Sequence, residues 1–316
     1  MTDWQPSASL ATLNTRARLL QRAREYFAET AVLEVETPTL SHAAVSDIHL
    51  ASIKATTCGL PTYLHTSPEY AMKRLIAAGS GDIYQIARVY RDGESGRLHN
   101  PEFTMIEWYR MDFTHHHLMD DVEQLIKRLI PECCIQSSER LTYQEAVLRY
   151  AQADAFNDST AQLLKSLQHA GIDVPHDIHT DRDGLLDLIM AVRVGPELGK
   201  ERLTFIYDYP ASQAALAQVR GPMASRFELY LDGIELANGF HELGNANEQR
   251  KRFELDLAER QRRNLITTPI DENFLSALEK GLPNCAGVAL GFDRLLMCAI
   301  GAKHIDEVLA FPFARS

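Results

Sequence analysis

The sequence predicts an α+β fold in which an antiparallel β-sheet is flanked by helices. Two stretches with strand-like alternation, residues 84–110 and 226–240, each fold back around a polar turn. The second turn contains Asp232 and Gly233, a pair typical of two-residue hairpins. Long helical stretches separate the strands, as in α+β proteins. Neither GxGxxG after a strand nor GxxxxGK[ST] occurs, which argues against Rossmann and P-loop nucleotide sites.

The first half of the chain supplies three helices and a short strand. Apolar periodicity predicts a helix over residues 14–30, and VLEVETPTL predicts a strand that Pro38 ends. Residues 68–78 form a second helix, with Pro68 acceptable in its first turn. The third helix, over residues 115–130, has an apolar stripe that we expect to face inward. This stripe consists of Leu118, Val122, Leu125, Ile126 and Leu129.

The second half begins with a helical, partly polar stretch over residues 140–195. We interpret this stretch as an insertion or connecting layer within a single domain that spans residues 1–316. Strands return at FIYDYP and over residues 226–240, and a charged helix follows over residues 246–263. GVALGFDRLLMCAIG then predicts a strand, a turn and a helix.

Composition narrows the class of protein. The chain has 316 residues, of which 45% are hydrophobic and 24% charged, as in ordinary soluble proteins. The net charge of −11 weighs against stable nucleic-acid binding, because such proteins neutralise phosphates with Lys and Arg. The same negative charge fits either a small acidic site for a cationic substrate or a protein that is simply soluble.

We expect a cytoplasmic protein with no membrane contact. The sequence has no apolar run of membrane-spanning length, and its N-terminal segment, MTDWQPSASL, does not resemble a secretory signal. The five cysteines form no CxxC, and only Cys133 and Cys134 are adjacent. These features predict reduced thiols.

The first segment that carries chemistry is YQIARVYRDGESGRLHNPEFTMIEWYR, residues 84–110. Arg91 follows a strand and can hold a phosphoryl group in two-point geometry, although an isolated arginine at a strand end is usually solvated. On the returning strand, Glu107 and Tyr109 share one face, and Ile106 and Trp108 share the other. A phosphate-binding cation beside an acidic and aromatic face indicates ATP together with an amino acid.

The second segment is ELANGFHEL, residues 235–243. Glu235 and Glu242 can share a hard cation such as Mg²⁺, which would bridge ATP phosphates. Asn238 and Gly239 would let the backbone approach a ligand. The alternative is an edge strand with solvated acids.

Two further segments carry candidate residues. In GVALGFDRLLM, Arg294 begins a helix after two glycines and can clasp a terminal phosphate, or it pairs with Asp293 or another acid. In TSPEY, Glu69 can pair with a substrate ammonium group, or it stabilises a helix start. His115 to His117 is predicted to be a solvated helix start after Thr114.

Together these segments resemble the three signature motifs of class II aminoacyl-tRNA synthetases. The helix before VLEVETPTL resembles the first motif, which implies a homodimer with Pro38 at its interface. The stretch from Arg91 to Glu107 resembles the second motif, and GVALGFDR resembles the third. TSPE, RLHNPEFTMIEWY and ELANGFHEL are most similar to lysyl-type enzymes, and the resemblance covers nearly the whole chain.

The chain departs from lysyl-tRNA synthetases at its start. Those enzymes carry an N-terminal anticodon-binding domain, whereas here the first-motif helix begins near residue 14. A lysyl-type catalytic domain of this length resembles the elongation factor P–(R)-β-lysine ligase family. This resemblance implies an ATP-dependent, AMP-forming ligase that uses ATP as co-substrate with Mg²⁺. It also implies that the enzyme transfers (R)-β-lysine to a lysine of elongation factor P.

The resemblance also implies roles for individual residues. Those implied to contact the amino acid are Ser67, Pro68, Glu69, Tyr109 and Glu242. Those implied to contact ATP are Arg91, Asp92, Gly93, Asn100, Glu235, Leu236 and Gly291. Arg91 and Arg294 are the implied catalytic cations, and Glu235 and Glu242 the candidate Mg²⁺ ligands.

Two positions differ from the family pattern. Class II synthetases usually have Arg-x-Glu in the second motif, whereas here Gly93 holds the third place and Glu94 follows. Either Glu94 or backbone carbonyls would then recognise adenine. Ala289 stands where lysyl-tRNA synthetases typically have glycine, and its methyl group can disfavour α-lysine by about 1–3 kcal/mol.

Two other functions compete with the ligase. A truncated lysyl-type synthetase would charge tRNA or another small acceptor, and a catalytically inactive paralogue would act as a regulatory subunit. Arg91, Glu235, Glu242 and Arg294 argue against the inactive paralogue.

Overall fold

A nine-stranded sheet forms the centre of the structure, a computed structural model that describes residues 4–133 and 135–316. The strands of the described chain are β1 (Leu33–Glu34), β2 (Leu40–Ser41), β3 (Lys54–Thr57), β4 (Leu60–Leu64), β5 (Ile83–Tyr90), β6 (Glu102–Met111), β7 (Glu139–Thr142), β8 (Thr204–Pro210), β9 (Val219–Arg220), β10 (Met223–Leu231), β11 (Ile234–His241) and β12 (Cys285–Gly291). The large sheet has the order β1-β5-β6-β12-β11-β10-β8-β7, with β9 beside β10. Its pairs are antiparallel except β1–β5 and β7–β8, and β2, β4 and β3 form a separate small sheet.

Helices cover both faces of the large sheet, so the predicted α+β architecture is confirmed. The α-helices of the described chain are α1 (Leu10–Glu29), α2 (Glu69–Ala77), α3 (His115–Leu129), α4 (Tyr143–Ala151), α5 (Thr160–His169), α6 (Arg182–Ile189), α7 (Ala246–Arg262), α8 (Glu272–Lys280) and α9 (Phe292–Ile300). Helix α1 begins four residues before the predicted start, because the Ser9 hydroxyl accepts a hydrogen bond from the Thr12 N–H at 3.1 Å.

The main core lies on one face of the large sheet. Ile106 and Trp108 of β6 are fully buried there against helices α1, α3 and α9. The five apolar residues predicted to face inward on α3 are likewise buried, so that prediction is confirmed. Because neighbours along a strand face opposite sides, burying Ile106 and Trp108 turns Glu107 and Tyr109 to the other face.

The hairpin of β10 and β11 turns at Asp232 and Gly233, as predicted, and both residues have positive φ angles of 51° and 72°. The pairing register shifts within this hairpin. Leu229 pairs with Ala237 but Tyr230 pairs with Glu235, so Leu236 is an extra residue that forms a β-bulge.

The stretch over residues 140–195 contains α4, α5 and α6 and has its own apolar core. It begins on β7, which extends the large sheet by pairing in parallel with β8. Helix α6 continues into a short π-helical turn, Met190–Val194.

The predicted solvated helix start at the three histidines is wrong for His115. Thr114 caps α3 as expected, and His116 and His117 are exposed. His115 is only 5% exposed, and its Nε2 lies 3.2 Å from an Asp208 carboxylate oxygen. The imidazole packs inward because Asp208 on β8 offers it a polar partner.

The structure bears on the predictions about cysteines and about membrane-spanning segments. Cys58, Cys285 and Cys298 are free thiols, whereas Cys134 lies outside the described residues. Within the described part of the chain, no helix combines the length and the apolar character needed to cross a membrane.

Candidate active site

A cavity of about 1260 Å³ opens on the face of the large sheet opposite the main core. Residues from α2, α7 and α8 and from the loop over residues 41–50 complete its walls. It is lined by most of the predicted site residues, namely Ser67, Pro68, Glu69, Arg91, Asn100, Tyr109, Glu235, Leu236, Glu242, Gly291 and Arg294. Asp92 and Gly93 do not line it.

The register of β6, β12 and β11 arranges the floor of the cavity in rows. Gly291 pairs with Met105, Ala289 with Glu107, and Gly287 with Tyr109. Gly291 and Gly287 are four residues apart, so their rows are separated by about 13 Å along the strand. This distance separates two ends of the cavity that differ in chemistry.

Arg91 lies at the Gly291 end, directly after β5. Its guanidinium sits 5.0 Å from the centre of the Phe103 ring, and its one ion pair in the described chain is a long contact of 3.5 Å with Glu94. The Arg91 Nε is buried without a hydrogen-bond partner among the described residues. A cation this lightly engaged is available for an anionic ligand.

Arg294 occupies the same end but is more firmly held. It donates to the carbonyl oxygen of Glu235 at 3.0 Å and lies 2.7 Å from His99 Nε2. It does not pair with Asp293, which instead accepts hydrogen bonds from Arg16 and the Thr104 N–H. Its Nη1 also lies 3.7 Å from a Glu235 carboxylate oxygen, and Arg294 lines the cavity.

The turn after Arg91 serves mainly to shape the loop. Gly93 has a φ of +76°, and the Asp92 N–H donates to the Ala51 carbonyl at 2.7 Å. Glu94 lines the cavity and faces Arg91. The Asn100 side chain donates to the Glu102 carbonyl and accepts from the Phe313 N–H, at 2.7 Å and 2.9 Å. Asn100 thus holds the surrounding backbone as well as lining the cavity.

The Gly287 end is an acidic enclosure that we call the amine pocket, formed by Ser67, Glu69, Lys73, Glu107, Tyr109 and Glu242. Glu107 is 2% exposed and accepts hydrogen bonds from the Ser67 and Tyr109 hydroxyls at 2.6 Å and 2.7 Å. Glu107 was predicted to lie on the ligand face of β6, but no ligand contact was predicted for it. Its burial in the cavity wall makes it a candidate ligand for an ammonium group.

Lys73 was missed by sequence analysis, since a lysine on an amphipathic helix is ordinarily solvated. Here it is fully buried, and its Nζ lies 2.6 Å from both Glu69 Oε1 and Glu242 Oε2. Burial alone would lower the pKa of Lys73, but the two carboxylates outweigh burial and raise it. Lys73 is therefore charged.

The pocket carboxylates titrate in an unusual range. Burial and the neighbouring Glu69 raise the pKa of Glu107 to about 7. Burial also raises the pKa of Glu242, and Lys73 acts in the opposite direction. A positively charged ligand would favour the ionised form of both groups.

Gly287 gives the amine pocket its width. A Cβ at this position would lie 2.2 Å from the Tyr109 ring and 2.5 Å from Glu242 Oε1. The glycine thus makes room for the protein's own side chains, whereas a Cβ at Gly291 would meet no atom closer than 3.6 Å.

The structure places a second carboxylate near Glu235. Residues seven apart on a regular strand face opposite sides, but the bulge at Leu236 places both Glu235 and Glu242 on the cavity face. Glu228 of β10 lies on the same face, and burial together with its charge raises the pKa of Glu235. Each of these three acids has a cationic partner: Glu228 contacts Arg226, Glu235 lies 3.7 Å from Arg294, and Glu242 pairs with Lys73.

Glu228 was also missed by sequence analysis. Its carboxylate oxygens contact Arg226 at 2.5 Å and accept from the Tyr230 hydroxyl at 2.6 Å. The spacing ELYLDGIE, which places Glu228 and Glu235 on paired strands around the turn, was the available signal. No group of three or more His, Cys, Asp or Glu side chains among the described residues forms a metal cage.

The sequence matches one family of proteins over nearly its whole length. The family described as tRNA synthetases class II (D, K and N) matches residues 1–315. An elongation factor P–(R)-β-lysine ligase of Vibrio cholerae is 50% identical over 325 residues, covering 100% of this chain and 99% of the relative. Proteins of the same name from Yersinia enterocolitica and Proteus mirabilis are 49% and 48% identical, each covering at least 98% of both chains.

Proposed function

Because the chain belongs to the class II tRNA synthetases and, among them, to the elongation factor P–(R)-β-lysine ligases, we propose that it activates (R)-β-lysine with ATP and transfers it to a lysine of elongation factor P. The observation that carries the proposal is the single cavity with two unlike ends. A lightly engaged arginine lies at one end, and three carboxylates lie at the other.

We assign the Gly291 end to ATP. Arg91 is placed to neutralise the phosphate that is attacked, and Arg294 to bind a terminal phosphate. Gly291 and the backbone of Leu236 would pack against the flat part of the nucleotide. Adenine recognition by Glu94 or by backbone carbonyls stays a prediction, as do ATP contacts at Asp92, Gly93 and Asn100.

We propose Glu228 and Glu235 as a second candidate pair for Mg²⁺, beside Glu235 and Glu242. The charge of Glu228 raises the pKa of Glu235, two carboxylates on one face suit a hard divalent cation, and the phosphates of ATP would complete its ligands. Bound there, Mg²⁺ would neutralise charge on the phosphates. Arg226 and Tyr230 hold Glu228 in place, and Arg294 holds the backbone at Glu235.

The amine pocket would bind the amino acid. Glu107, Glu69 and Glu242 provide carboxylates for its ammonium groups, and Tyr109 and Ser67 orient Glu107. Ala289 lies in the floor beside Glu107, where its methyl group limits the depth of the pocket.

In the reaction, the substrate carboxylate attacks the α-phosphorus of ATP, and pyrophosphate leaves. No base is required, because the carboxylate is already a nucleophile, so positioning and charge stabilisation carry the rate. The acceptor ε-amine, in its neutral form, then attacks the carbonyl carbon of the aminoacyl-adenylate, and the amine nitrogen loses a proton as the amide forms and AMP leaves.

We also propose a cytoplasmic homodimer, as the resemblance implies. Apolar side chains near Pro38 support this, since Leu33, Leu40 and Leu60 are 57%, 41% and 54% exposed.

Two alternatives have less support. Charging of tRNA disagrees with the names of the relatives, which are ligases of a protein factor. An inactive regulatory role disagrees with the presence of Arg91, Glu235 and Arg294 in one cavity.

The deciding experiment supplies ATP with either (R)-β-lysine or α-lysine, and either elongation factor P or bulk tRNA as acceptor. We expect mass gain on elongation factor P with (R)-β-lysine. Gain on tRNA alone would support the truncated synthetase, and no pyrophosphate exchange with either amino acid would support the inactive paralogue.

A further inference from the structure

The amine pocket contains an internal cation. Lys73 has no exposed surface, and its Nζ bridges Glu69 and Glu242 at 2.6 Å each. The Phe274 ring, 5.8 Å away, lies on a further side of the ammonium group. A buried lysine persists only when its charge is matched, so these contacts fix both carboxylates in place.

The charges of the pocket can be counted from the elements around it. Helix α2 contributes Glu69 and Lys73, β6 contributes Glu107, and Glu242 follows β11. With a cationic substrate bound, which favours the ionised form of Glu107 and Glu242, three carboxylates and one ammonium group give a net charge of −2. The neighbouring Cys285 and Tyr109 are neutral, because burial raises the pKa of each.

Other charged residues of the cavity wall are engaged or solvated. Arg74 of α2 is exposed, so water screens its charge. In the outer part of the cavity, Asp256 accepts a hydrogen bond from Ser46, and Asp271 caps α8. The buried charge at the amine pocket is therefore set by the four residues counted above.

We propose that Lys73 is a positioning residue that sets the charge of the amine pocket to match a substrate with two ammonium groups. This inference rests on the proposed function, whose amino acid carries two amines. Without Lys73 the pocket would have a net charge of −3, one more negative charge than two ammonium groups need. With Lys73 kept and one carboxylate removed, its net charge would be −1, one too few. Lys73 does not need to contact the substrate in order to act.

The experiment first neutralises one carboxylate partner of Lys73, then replaces Lys73 as well, and measures ATP–pyrophosphate exchange for each variant. Glu69→Gln leaves a net charge of −1 and should raise KM for (R)-β-lysine at least about tenfold. Adding Lys73→Met to Glu69→Gln returns the net charge to −2, so KM should fall again, although a second side chain has been lost. Such a reversal of sign is not expected if Lys73 only supports the fold.

A second pair of variants, built on Glu242 in place of Glu69, keeps the test valid if one of the Glu69 variants fails to fold. Glu242→Gln and Lys73→Met/Glu242→Gln should show the same reversal. In every variant, KM for ATP should change little, because the Gly291 end of the cavity is separate from the amine pocket. The change should fall on KM rather than kcat, as for a ground-state contact.

A monoamine separates the inference from the proposed function. The unmodified protein should prefer (R)-β-lysine to 6-aminohexanoic acid, and Glu69→Gln should narrow that preference. If the unmodified protein activates (R)-β-lysine but neither double variant improves on its single variant, the inference fails and the function stands. If the protein activates no diamino acid, both fail.

Discussion

Arg294 and His99 are hydrogen-bonded at the Gly291 end of the cavity, with Nη2 and Nε2 2.7 Å apart. Since a guanidinium can only donate, His99 must accept through an unprotonated nitrogen. His99 is partly exposed, and its partial desolvation, then the charge of Arg294, lower the pKa of His99. The Gly291 end thus contains an imidazole whose neutral form is favoured by its surroundings.

The first prediction follows from this neutral imidazole. As pH falls below the ordinary histidine pKa of about 6.5, the unfolded chain takes up the proton before the folded protein does, so stability falls. His99→Gln keeps an acceptor for Arg294 but does not titrate. Its melting temperature should therefore fall less than the parent's between pH 7.5 and 5.5. His169→Gln, at an exposed helix end, should follow the parent, and an equal fall in His99→Gln would contradict the assignment.

The second prediction concerns Arg91. Arg91→Ala should reduce ATP–pyrophosphate exchange by about 10²–10³-fold or more, because it removes the cation assigned to the attacked phosphate. Arg88→Ala is a matched control, since Arg88 lies on β5 and pairs with Glu102 at the surface. It should cost less than about 1 kcal/mol of stability. Near-normal exchange in Arg91→Ala would remove Arg91 from the mechanism.

The third prediction is a pH dependence of amino-acid binding. Protonated Glu107 cannot pair with an ammonium group, and its pKa is about 7. KM for (R)-β-lysine should therefore rise as pH falls below 7, by up to about tenfold per pH unit. Glu107→Gln should raise KM throughout and lose this slope. A KM in the unmodified protein that is constant between pH 6 and 8 would count against Glu107 as an ammonium ligand.

The fourth prediction distinguishes the two carboxylate pairs proposed for Mg²⁺. Glu228→Gln should raise the Mg²⁺ concentration needed for half-maximal exchange, with a smaller effect on KM for (R)-β-lysine. Glu242→Gln should do the reverse, because Glu242 pairs with Lys73 in the amine pocket. Titration of Mg²⁺ at saturating ATP tests both, and a matching Mg²⁺ defect in Glu242→Gln would restore the pair Glu235 and Glu242.

The fifth prediction concerns the two glycines of β12. Gly287→Ala should cost about 1–3 kcal/mol of unfolding free energy, because its Cβ overlaps Tyr109 and Glu242. Gly291→Ala has space for its methyl group and should cost about 1 kcal/mol or less. Denaturant unfolding measures both values. Equal stability of the two variants would show that Tyr109 can move aside.

Much of the fold could be predicted because local patterns and tertiary packing agree. Asp232 and Gly233 adopt the positive φ angles that their residue types permit, so the hairpin was visible in the sequence. The alternation of Ile106 to Tyr109 likewise separated the core from the cavity face.

Other features depend on partners that are distant in sequence. Lys73 is buried only because Glu242 reaches it from the end of β11, and His115 only because Asp208 meets it from β8. Periodicity along one helix contains no information about such partners. The bulge at Leu236 shifts the strand by one residue, which a pattern of strict alternation cannot register.

The bulge also joins two parts of the site that would otherwise be independent. It lies beside the Glu235 carbonyl that Arg294 holds, across 59 residues of sequence. An Arg294 variant would therefore lose the proposed phosphate contact and, at the same time, loosen the backbone that aims Glu235. Kinetic defects at these two positions should be non-additive, so neither residue can be substituted, by experiment or by evolution, without altering the working environment of the other.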